Sequence, residues 1–234
     1  MEFMAQQPLV LASASPRRRQ LLNYLGVAFR ALANNAEEED TAPPAELAAN
    51  IPHVDLASYF HPTVRAWRKA FAACSDAPDS VIIGADTIVV LDGDVLNKPA
   101  DADEARWMLR RLSGRTHTVF TGVAVIDTFS GRRLFAIEQS QVEIAVISQQ
   151  QIAEYVATGE PLDKAGAYGI QGLGGRLVRS VAGSYTNVVG LPLTVVYNLL
   201  ADVGIGGLVS PADAYQHWLV AQGKEPLPCP PTLP

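Results

Sequence analysis

The segment 13–18, Ser-Ala-Ser-Pro-Arg-Arg, places two hydroxyl and two guanidinium groups at the predicted start of a helix. Ser15 is a favourable N-cap residue, and Pro16 is favourable at the first helical position. The free N–H groups of a helix N-terminus, the positive end of its dipole and nearby arginines together bind anions, with phosphate the first candidate. An ordinary capped helix with solvated arginines is an equally good interpretation of these residues taken alone.

A single carboxylate, Asp86, stands between two apolar runs, VIIGA and TIVVL. Burying a carboxylate is costly unless another group pairs with it, and a metal ion, a lysine or a catalytic water would each do so. The alternative is a carboxylate that accepts backbone N–H groups at a turn. Lys98 follows a hairpin signal at residues 92–93, and a hairpin would bring it back towards Asp86, although a solvated loop lysine is the simpler interpretation.

The acidic run at residues 37–40 is typical of a solvated surface, and it also offers a carboxylate to a divalent cation. Magnesium is held by one or two carboxylates together with substrate phosphates, so Asp86 and one of these glutamates would suffice.

A glycine-rich segment, residues 166–175, lacks the spacing of a dinucleotide-binding loop, and no Walker motif occurs in the chain. Its plain interpretation is a tight loop between elements. Within it, Gln171 offers hydrogen bonds to a nucleobase, and Tyr168 offers a ring for stacking.

The composition indicates a soluble globular protein with a substantial core, since 48% of the 234 residues are hydrophobic and 18% are charged. We expect no membrane span and no signal peptide. The net charge of −6, without a basic stripe, argues against nucleic-acid binding. Two cysteines and four histidines show no spacing typical of a disulfide framework, a zinc site or a histidine nucleophile. A reducing, cytoplasmic setting fits these features best.

Strand and helix signals alternate along the chain and predict a single α/β domain with two lobes about a cleft. Residues 45–75 read as helical pieces broken by Pro52 and Pro62, and Ser148 with Gln151 predicts a capping box. Predicted strands lie at residues 8–12, 81–85, 87–91, 117–127, 132–147 and 176–181, and predicted helices at 16–25, 101–113, 148–159, 192–203 and, less regularly, 208–222.

Five ordered segments between about residues 8 and 203 resemble the Maf family of nucleoside triphosphate pyrophosphatases: LASASPRRRQLL, VIIGADTIVVLDGDVLNKP, LSGRTHTVFTGVAV, LDKAGAYGIQGLGG and GSYTNVVGLPL. The resemblance implies a mixed α/β fold whose elongated central sheet is bent around a substrate cleft, with helices on both sides, as in the related inosine triphosphatases. The family-like domain would cover residues 1–207, and residues 208–234 would form an extension with a proline-rich end and no assigned role.

The resemblance also implies an activity: hydrolysis of a nucleoside triphosphate to the monophosphate and pyrophosphate in the cytoplasm, with Mg²⁺ or Mn²⁺, as house-cleaning of nucleotide pools. It assigns the acidic family position to Glu38 or a residue next to it, while the irregular stretch 42–66 departs from the family pattern before Lys69. The implied catalytic residues are Asp86, Lys98 and Glu38, the metal ligands Glu38 and Asp86, and the substrate-binding residues Ser13, Arg17, Arg18, Lys69 and Gln171.

The segment Ala-Tyr-Gly-Ile-Gln-Gly around Gln171 is similar to the family branch that acts on dTTP and UTP. A glutamine can pair with the O4 and N3–H edge of thymine or uracil through its donor and its acceptor. Three alternatives stay open. One is the branch that acts on 7-methyl-GTP, another is a nucleotide-binding regulator of septum formation, and the third is a pyrophosphatase for deaminated purine nucleotides. A homodimer is compatible with the sequence.

Overall fold

The computed structural model describes residues 7–39, 42–43, 48–49 and 61–223. The strands are β1 (Leu9–Leu11), β2 (Phe29–Ala31), β3 (Val81–Leu91), β4 (Asp94–Leu96), β5 (Thr116–Asp127), β6 (Arg133–Ile144) and β7 (Val178–Ala182). The α-helices of the described residues are α1 (Pro16–Asn23), α2 (Pro62–Ala72), α3 (Ala102–Leu112), α4 (Gln149–Ala157), α5 (Tyr185–Val189), α6 (Leu193–Asp202) and α7 (Pro211–Ala221). Short 3₁₀ turns occupy Ala36–Glu38, Glu160–Asp163, Ala165–Ala167 and Leu173–Leu177.

The described strands form one mixed sheet in the order β2–β1–β3–β5–β6–β7, with β4 also paired to β3. Strand β1 is parallel to β2 and to β3, whereas in the series β3, β5, β6, β7 each strand is antiparallel to its neighbour. Strands β5 and β6 have 12 residues each, which makes the sheet long. The expected mixed α/β class with an elongated sheet is therefore confirmed.

Strand pairing along one edge of β3 is interrupted in the middle of the strand. Strand β1 pairs with residues 81–83 of β3 and β4 pairs with residues 89–91, both on the edge opposite β5. No described strand pairs with residues 84–88 on that edge, and Asp86 lies at the centre of this interval, which we call the sheet gap. The loops after β1 and after β4 both open towards it.

Helix α2 packs unusually closely on one face of the sheet. A Cβ at Gly84 would lie 2.0 Å from the carbonyl oxygen of Ala66, and one at Gly122 would lie 2.2 Å from the backbone nitrogen of Thr63. Only glycine allows such an approach of backbone to backbone, so these two positions set the distance of α2 from β3 and β5.

The opposite face of the sheet is covered by helices from both ends of the chain. Helices α1, α6 and α7 bury leucines and Trp218 against β1, β3 and β5. Helices α3 and α4 form a second cluster against β4 and the far ends of β3, β5 and β6. Helices thus lie on both sides of the sheet, as the resemblance implies.

Several local predictions are confirmed, and two need correction. The turn at residues 92–93, the capping box and the helix that carries Trp218 are all present. The predicted strands 81–85 and 87–91 are one continuous strand, because the backbone of Asp86 pairs with Gly122 while its side chain leaves the sheet.

The predicted break at Pro62 is confirmed, because α2 begins at Pro62 and the preceding residue, His61, is its N-cap with extended backbone. Pro52 and most of the stretch 45–60 lie outside the described residues. The second correction is that β2 and α5 were not predicted, because three and five residues are too few for a strand or helix pattern to emerge.

Candidate active site

The Asp86 carboxylate is almost fully buried and is held by two cations of helix α2. Its Oδ1 lies 3.0 Å from Nζ of Lys69, and its Oδ2 lies 2.7 Å from Nε of Arg65. Arg65 and Lys69 are four residues apart, so they share one face of the helix. The close packing of α2 on Gly84 and Gly122 brings that face to the sheet gap.

These contacts determine the protonation state of Asp86. Burial alone would raise the pKa of its carboxyl, but the positive charges of Lys69, Arg65 and Arg18 and the hydrogen bond from Lys69 outweigh burial and hold the pKa below its ordinary value. The group is therefore a carboxylate at neutral pH. It suits cation binding and the orientation of a water molecule.

A second carboxylate reaches the same lysine. Oε1 of Glu37 lies 2.9 Å from Nζ of Lys69, while Oε2 of Glu37 is buried and has no hydrogen-bond partner in the described part of the chain. Glu38, to which the resemblance assigns the acidic position, is exposed to solvent. The 3₁₀ turn Ala36–Glu38 directs its neighbour Glu37 inwards instead.

Arg18 is buried on the other side of the sheet gap and is fixed by three hydrogen bonds. Its Nε donates to the carbonyl of Gly190 at 2.8 Å, Nη2 to Oγ1 of Thr87 at 3.1 Å, and Nη1 to Oγ of Ser13 at 3.4 Å. Burial lowers the pKa of Arg18, and the nearby carboxylates of Asp86 and Glu37 oppose that effect. Arg17 is more exposed and lies 3.7 Å from the Asp163 carboxylate.

Lys98 does not contact Asp86. It is exposed and forms no ion pair with any described residue, so the hairpin does not return it to Asp86, and the simpler interpretation of a solvated loop lysine is confirmed. Strand β4 is only three residues long, and Leu96 pairs with Val89, so the chain leaves the sheet before it reaches the level of Asp86. Lys69 holds the position beside the carboxylate that the hairpin argument gave to Lys98.

The glycine-rich segment is tied down by one acidic side chain, Glu160. Its carboxylate accepts hydrogen bonds from the backbone N–H of Leu173 at 3.0 Å, the N–H of Gly174 at 3.2 Å and the hydroxyl of Tyr155 at 2.9 Å. The half-buried amide of Gln171 makes no hydrogen bond to the described residues, so its donor and acceptor remain available.

Tyr168 is not available to stack on a base. It is buried, and its hydroxyl lies 2.8 Å from Nε2 of His117, whose ring it meets edge to face. The tyrosine belongs to the core beneath the glycine-rich segment. The expectation that Tyr168 stacks on a nucleobase is therefore wrong.

Arg65 and Thr87 are residues of the candidate site that the sequence reasoning did not single out, whereas Glu37 lies within the assignment to Glu38 or a residue next to it. The spacing of Arg65 from Lys69 was a usable signal, because residues four apart on a helix face the same way. Thr87 extends a polar chain inside an apolar run: its Oγ1 lies 2.9 Å from Oγ1 of Thr121, which donates to the carbonyl of Asn187 at 3.0 Å.

Residues 8–203 match the family described as Maf-like protein. The chain is 46% identical over 200 residues to the dTTP/UTP pyrophosphatase of Symbiobacterium thermophilum, covering 85% of this chain and 95% of that one. It is 47% identical over 194 residues to the dTTP/UTP pyrophosphatase of Escherichia coli O157:H7, covering 83% of this chain and 92% of that protein.

Among solved structures, the Staphylococcus aureus Ham1 protein matches with a TM-score of 0.39 and 14% identity, over 59% of this chain and 72% of that one. That similarity is too weak to support a conclusion about either fold or function. None of the helices in the described residues is long and apolar enough to cross a membrane.

Proposed function

The chain belongs to the Maf-like protein family, and we propose that it hydrolyses dTTP and UTP to the nucleoside monophosphate and pyrophosphate. The observation that carries the proposal is the buried Asp86 carboxylate, which Lys69 and Arg65 keep ionised in the sheet gap. A protein that only binds nucleotide needs no ionised carboxylate beside the phosphates, because two negative groups repel each other unless a cation or a reacting water lies between them.

The phosphates would lie against the loops that border the sheet gap. Arg18 uses three of its N–H donors within the protein, and its two remaining donors have no acceptor among the described residues. Ser13 and Arg17 flank it, and the exposed Lys98 lies just beyond β4 on the same edge of β3. Together these groups offset the charge of a triphosphate, which is where electrostatic catalysis of phosphoryl chemistry acts.

The donor atoms on this chain fit a hard divalent cation such as Mg²⁺ or Mn²⁺. The carboxylates of Glu37 and Asp86 meet at one lysine, and the buried Oε2 of Glu37 has no hydrogen-bond partner among the described residues. In those residues, no three or more His, Cys, Asp or Glu side chains lie close enough together to hold a metal ion by themselves. Substrate phosphates would therefore complete the ligand set. The bound cation would neutralise part of the triphosphate charge.

Asp86 accepts a hydrogen bond from the attacking water and takes up its proton as the water oxygen bonds to phosphorus. The P–O bond of the α–β anhydride breaks; pyrophosphate leaves if water attacks the α phosphorus, and the nucleoside monophosphate leaves if water attacks the β phosphorus. Attack at the α or at the β phosphorus gives the same two products. Both Lys69 and Arg65 depress the pKa of Asp86, so the carboxylate would become more basic as a bound triphosphate drew these cations towards itself.

The nucleobase would contact Gln171, whose amide is unpaired within the described residues. Thymine and uracil present a carbonyl and an N–H where cytosine presents an amino group and a bare nitrogen. Because an amide can rotate to suit either pattern, discrimination requires that its orientation be fixed. Mismatched polar groups in a closed site cost roughly 1–3 kcal/mol each, which is enough for a tenfold preference.

The test is pyrophosphate release by the purified chain with Mg²⁺, measured on dTTP, UTP, CTP, GTP and 7-methyl-GTP. We expect dTTP and UTP to have the highest kcat/KM, and Gln171→Glu to lower both. Faster hydrolysis of 7-methyl-GTP would overturn the assigned substrate class, and binding without release of pyrophosphate would overturn the enzymatic function. The cytoplasm, where nucleoside triphosphates are made and used, is the setting that this reaction suits.

A further inference from the structure

The chain continues past the matched family region, which ends at residue 203, and forms a further helix, α7. Ser210 caps this helix by accepting a hydrogen bond from the N–H of Asp213 at 3.2 Å, and Pro211 occupies its first turn. Helix α7 buries Trp218 completely in the same core cluster as α1 and α6. The extension is thus packed into the enzyme's own core.

Trp218 is one member of a cluster of three aromatic rings. Its ring centroid lies 5.5 Å from that of Tyr185 and 5.8 Å from that of Tyr215, and the two tyrosine rings are 6.3 Å apart. Rings at these distances attract one another beyond simple area burial. Tyr185 begins α5, so the cluster joins α7 to the segment that follows β7.

Tyr185 continues the connection to the glycine-rich segment. Its hydroxyl donates a hydrogen bond to the carbonyl of Ile170 at 3.1 Å. That carbonyl belongs to the planar peptide group that joins Ile170 to Gln171, so fixing it also fixes the positions of the backbone nitrogen and Cα of Gln171, from which the side chain extends. A Cβ at Gly175 would lie 2.4 Å from the same oxygen, so the carbonyl is held between Gly175 and the tyrosine hydroxyl.

We propose that helix α7 positions the base-reading glutamine, with Trp218 packing on Tyr185 and Tyr185 fixing the peptide group of Gln171. The inference rests on the proposed function for the role of Gln171, while the mechanical coupling of α7 to the loop stands on the contacts alone. Discrimination by an amide requires a fixed orientation. The Glu160 carboxylate holds the loop at Leu173 and Gly174, and the Tyr155 hydroxyl accepts a hydrogen bond from the N–H of Gly169. The aromatic cluster adds, through Tyr185, the contact to the peptide group of Gln171 itself.

The test is Tyr185→Phe in the full chain, because this change removes the hydroxyl and keeps the ring in the cluster. Its matched control is Tyr215→Phe, which removes a hydroxyl from the same cluster without touching the loop. For Tyr185→Phe we expect the ratio of kcat/KM for dTTP to kcat/KM for CTP to fall about threefold to tenfold, the range of one lost hydrogen bond. The control should leave the ratio unchanged.

A second readout does not depend on activity. Amide hydrogen exchange of residues 169–175 should be faster in Tyr185→Phe and in Trp218→Leu, and unchanged in Tyr215→Phe. Trp218→Phe serves as a smaller step if the leucine variant fails to fold, as judged by circular dichroism.

Unchanged exchange and an unchanged dTTP-to-CTP ratio in a folded Tyr185→Phe variant would overturn the proposal. Equal changes in Tyr185→Phe and Tyr215→Phe would also overturn it, since they would show general loosening of the cluster. A wild-type chain that releases no pyrophosphate would instead refute the proposed function, and the exchange experiment would still decide the coupling of α7 to the loop.

Discussion

At the scale of single residues, the Asp86 carboxylate has two positive partners and lies within reach of a third. Lys69 and Arg65 contact its two oxygens directly, and Arg18 lowers its pKa from a greater distance. Removing the negative charge therefore has two consequences, one for the reaction and one for the balance of buried charge.

We expect Asp86→Asn to lower the rate of pyrophosphate release by on the order of 10²-fold or more, because an amide neither takes up a proton nor binds a cation well. The fold should persist, with a lower free energy of unfolding, because Lys69 and Arg65 lose their shared partner. Assays with saturating Mg²⁺ together with circular dichroism check both points. A rate close to that of the wild type would show that Asp86 serves only the structure.

The adjacent glutamates 37 and 38 offer a matched pair of variants. Glu37→Gln should weaken Mn²⁺ binding, measured by titration calorimetry with a nonhydrolysable dUTP analogue present, and should lower the rate. The reason is that Glu37 reaches Lys69 with one oxygen and buries the other without a partner among the described residues. Glu38→Gln should change little because Glu38 is exposed. The reverse ranking would restore Glu38 as the acidic site residue.

At the scale of elements, the position of helix α2 decides whether its two cations reach the sheet gap. We expect Gly84→Ala to lower both the melting temperature and the rate, because the new methyl group would lie 2.0 Å from the backbone oxygen of Ala66 and must push α2 away. Overpacking of this kind costs typically 1–3 kcal/mol, and more when backbone must move.

Gly206→Ala is the control for that substitution, since no atom of the described residues lies within 4 Å of the position where its Cβ would be added. Thermal unfolding and steady-state rates of the two variants provide the comparison. If Gly84→Ala kept the wild-type rate, the close approach of α2 would not be needed to position Lys69.

At the scale of the whole molecule, one buried histidine links stability to pH. Burial lowers the pKa of His117 to about 4, and the ring is held neutral against the Tyr168 hydroxyl in the core beneath the glycine-rich segment. In the unfolded chain the same ring would titrate near pH 6.5. Below that pH the unfolded chain binds a proton that the folded chain does not, so folding becomes less favourable.

We therefore expect the His117 contribution to be fully present above pH 6.5 and to be lost as the pH falls towards about 4, by up to roughly 3 kcal/mol across that window. Urea unfolding at pH 7.5 and pH 5 measures the effect. His117→Asn should reduce the difference between the two pH values, and His217→Gln, at an exposed histidine, should not. Equal pH dependence in His117→Asn and the wild type would contradict the assignment to His117.

The amino-acid sequence alone determined the features that depend on neighbouring residues. Local rules predict features that need only a few adjacent side chains. These are the capping box of Ser148 and Gln151, the hairpin turn at residues 92–93 and the start of α1, which Ser15 caps. The resemblance of five ordered segments was sufficient to identify the family. The candidate site residues carried over from that resemblance stay a prediction until variants are measured.

Tertiary structure decided which charged groups meet. Arg65 and Lys69 lie 21 and 17 residues before Asp86, and only the close packing of α2 on Gly84 and Gly122 makes them its partners in place of Lys98. Glu37 and Glu38 are chemically alike and adjacent, and the direction of one 3₁₀ turn separates them. The energy of an ion pair falls with the distance between its two charges, and that distance is set by how whole helices and strands pack. Neither the composition nor the spacing of residues along the chain contains this information.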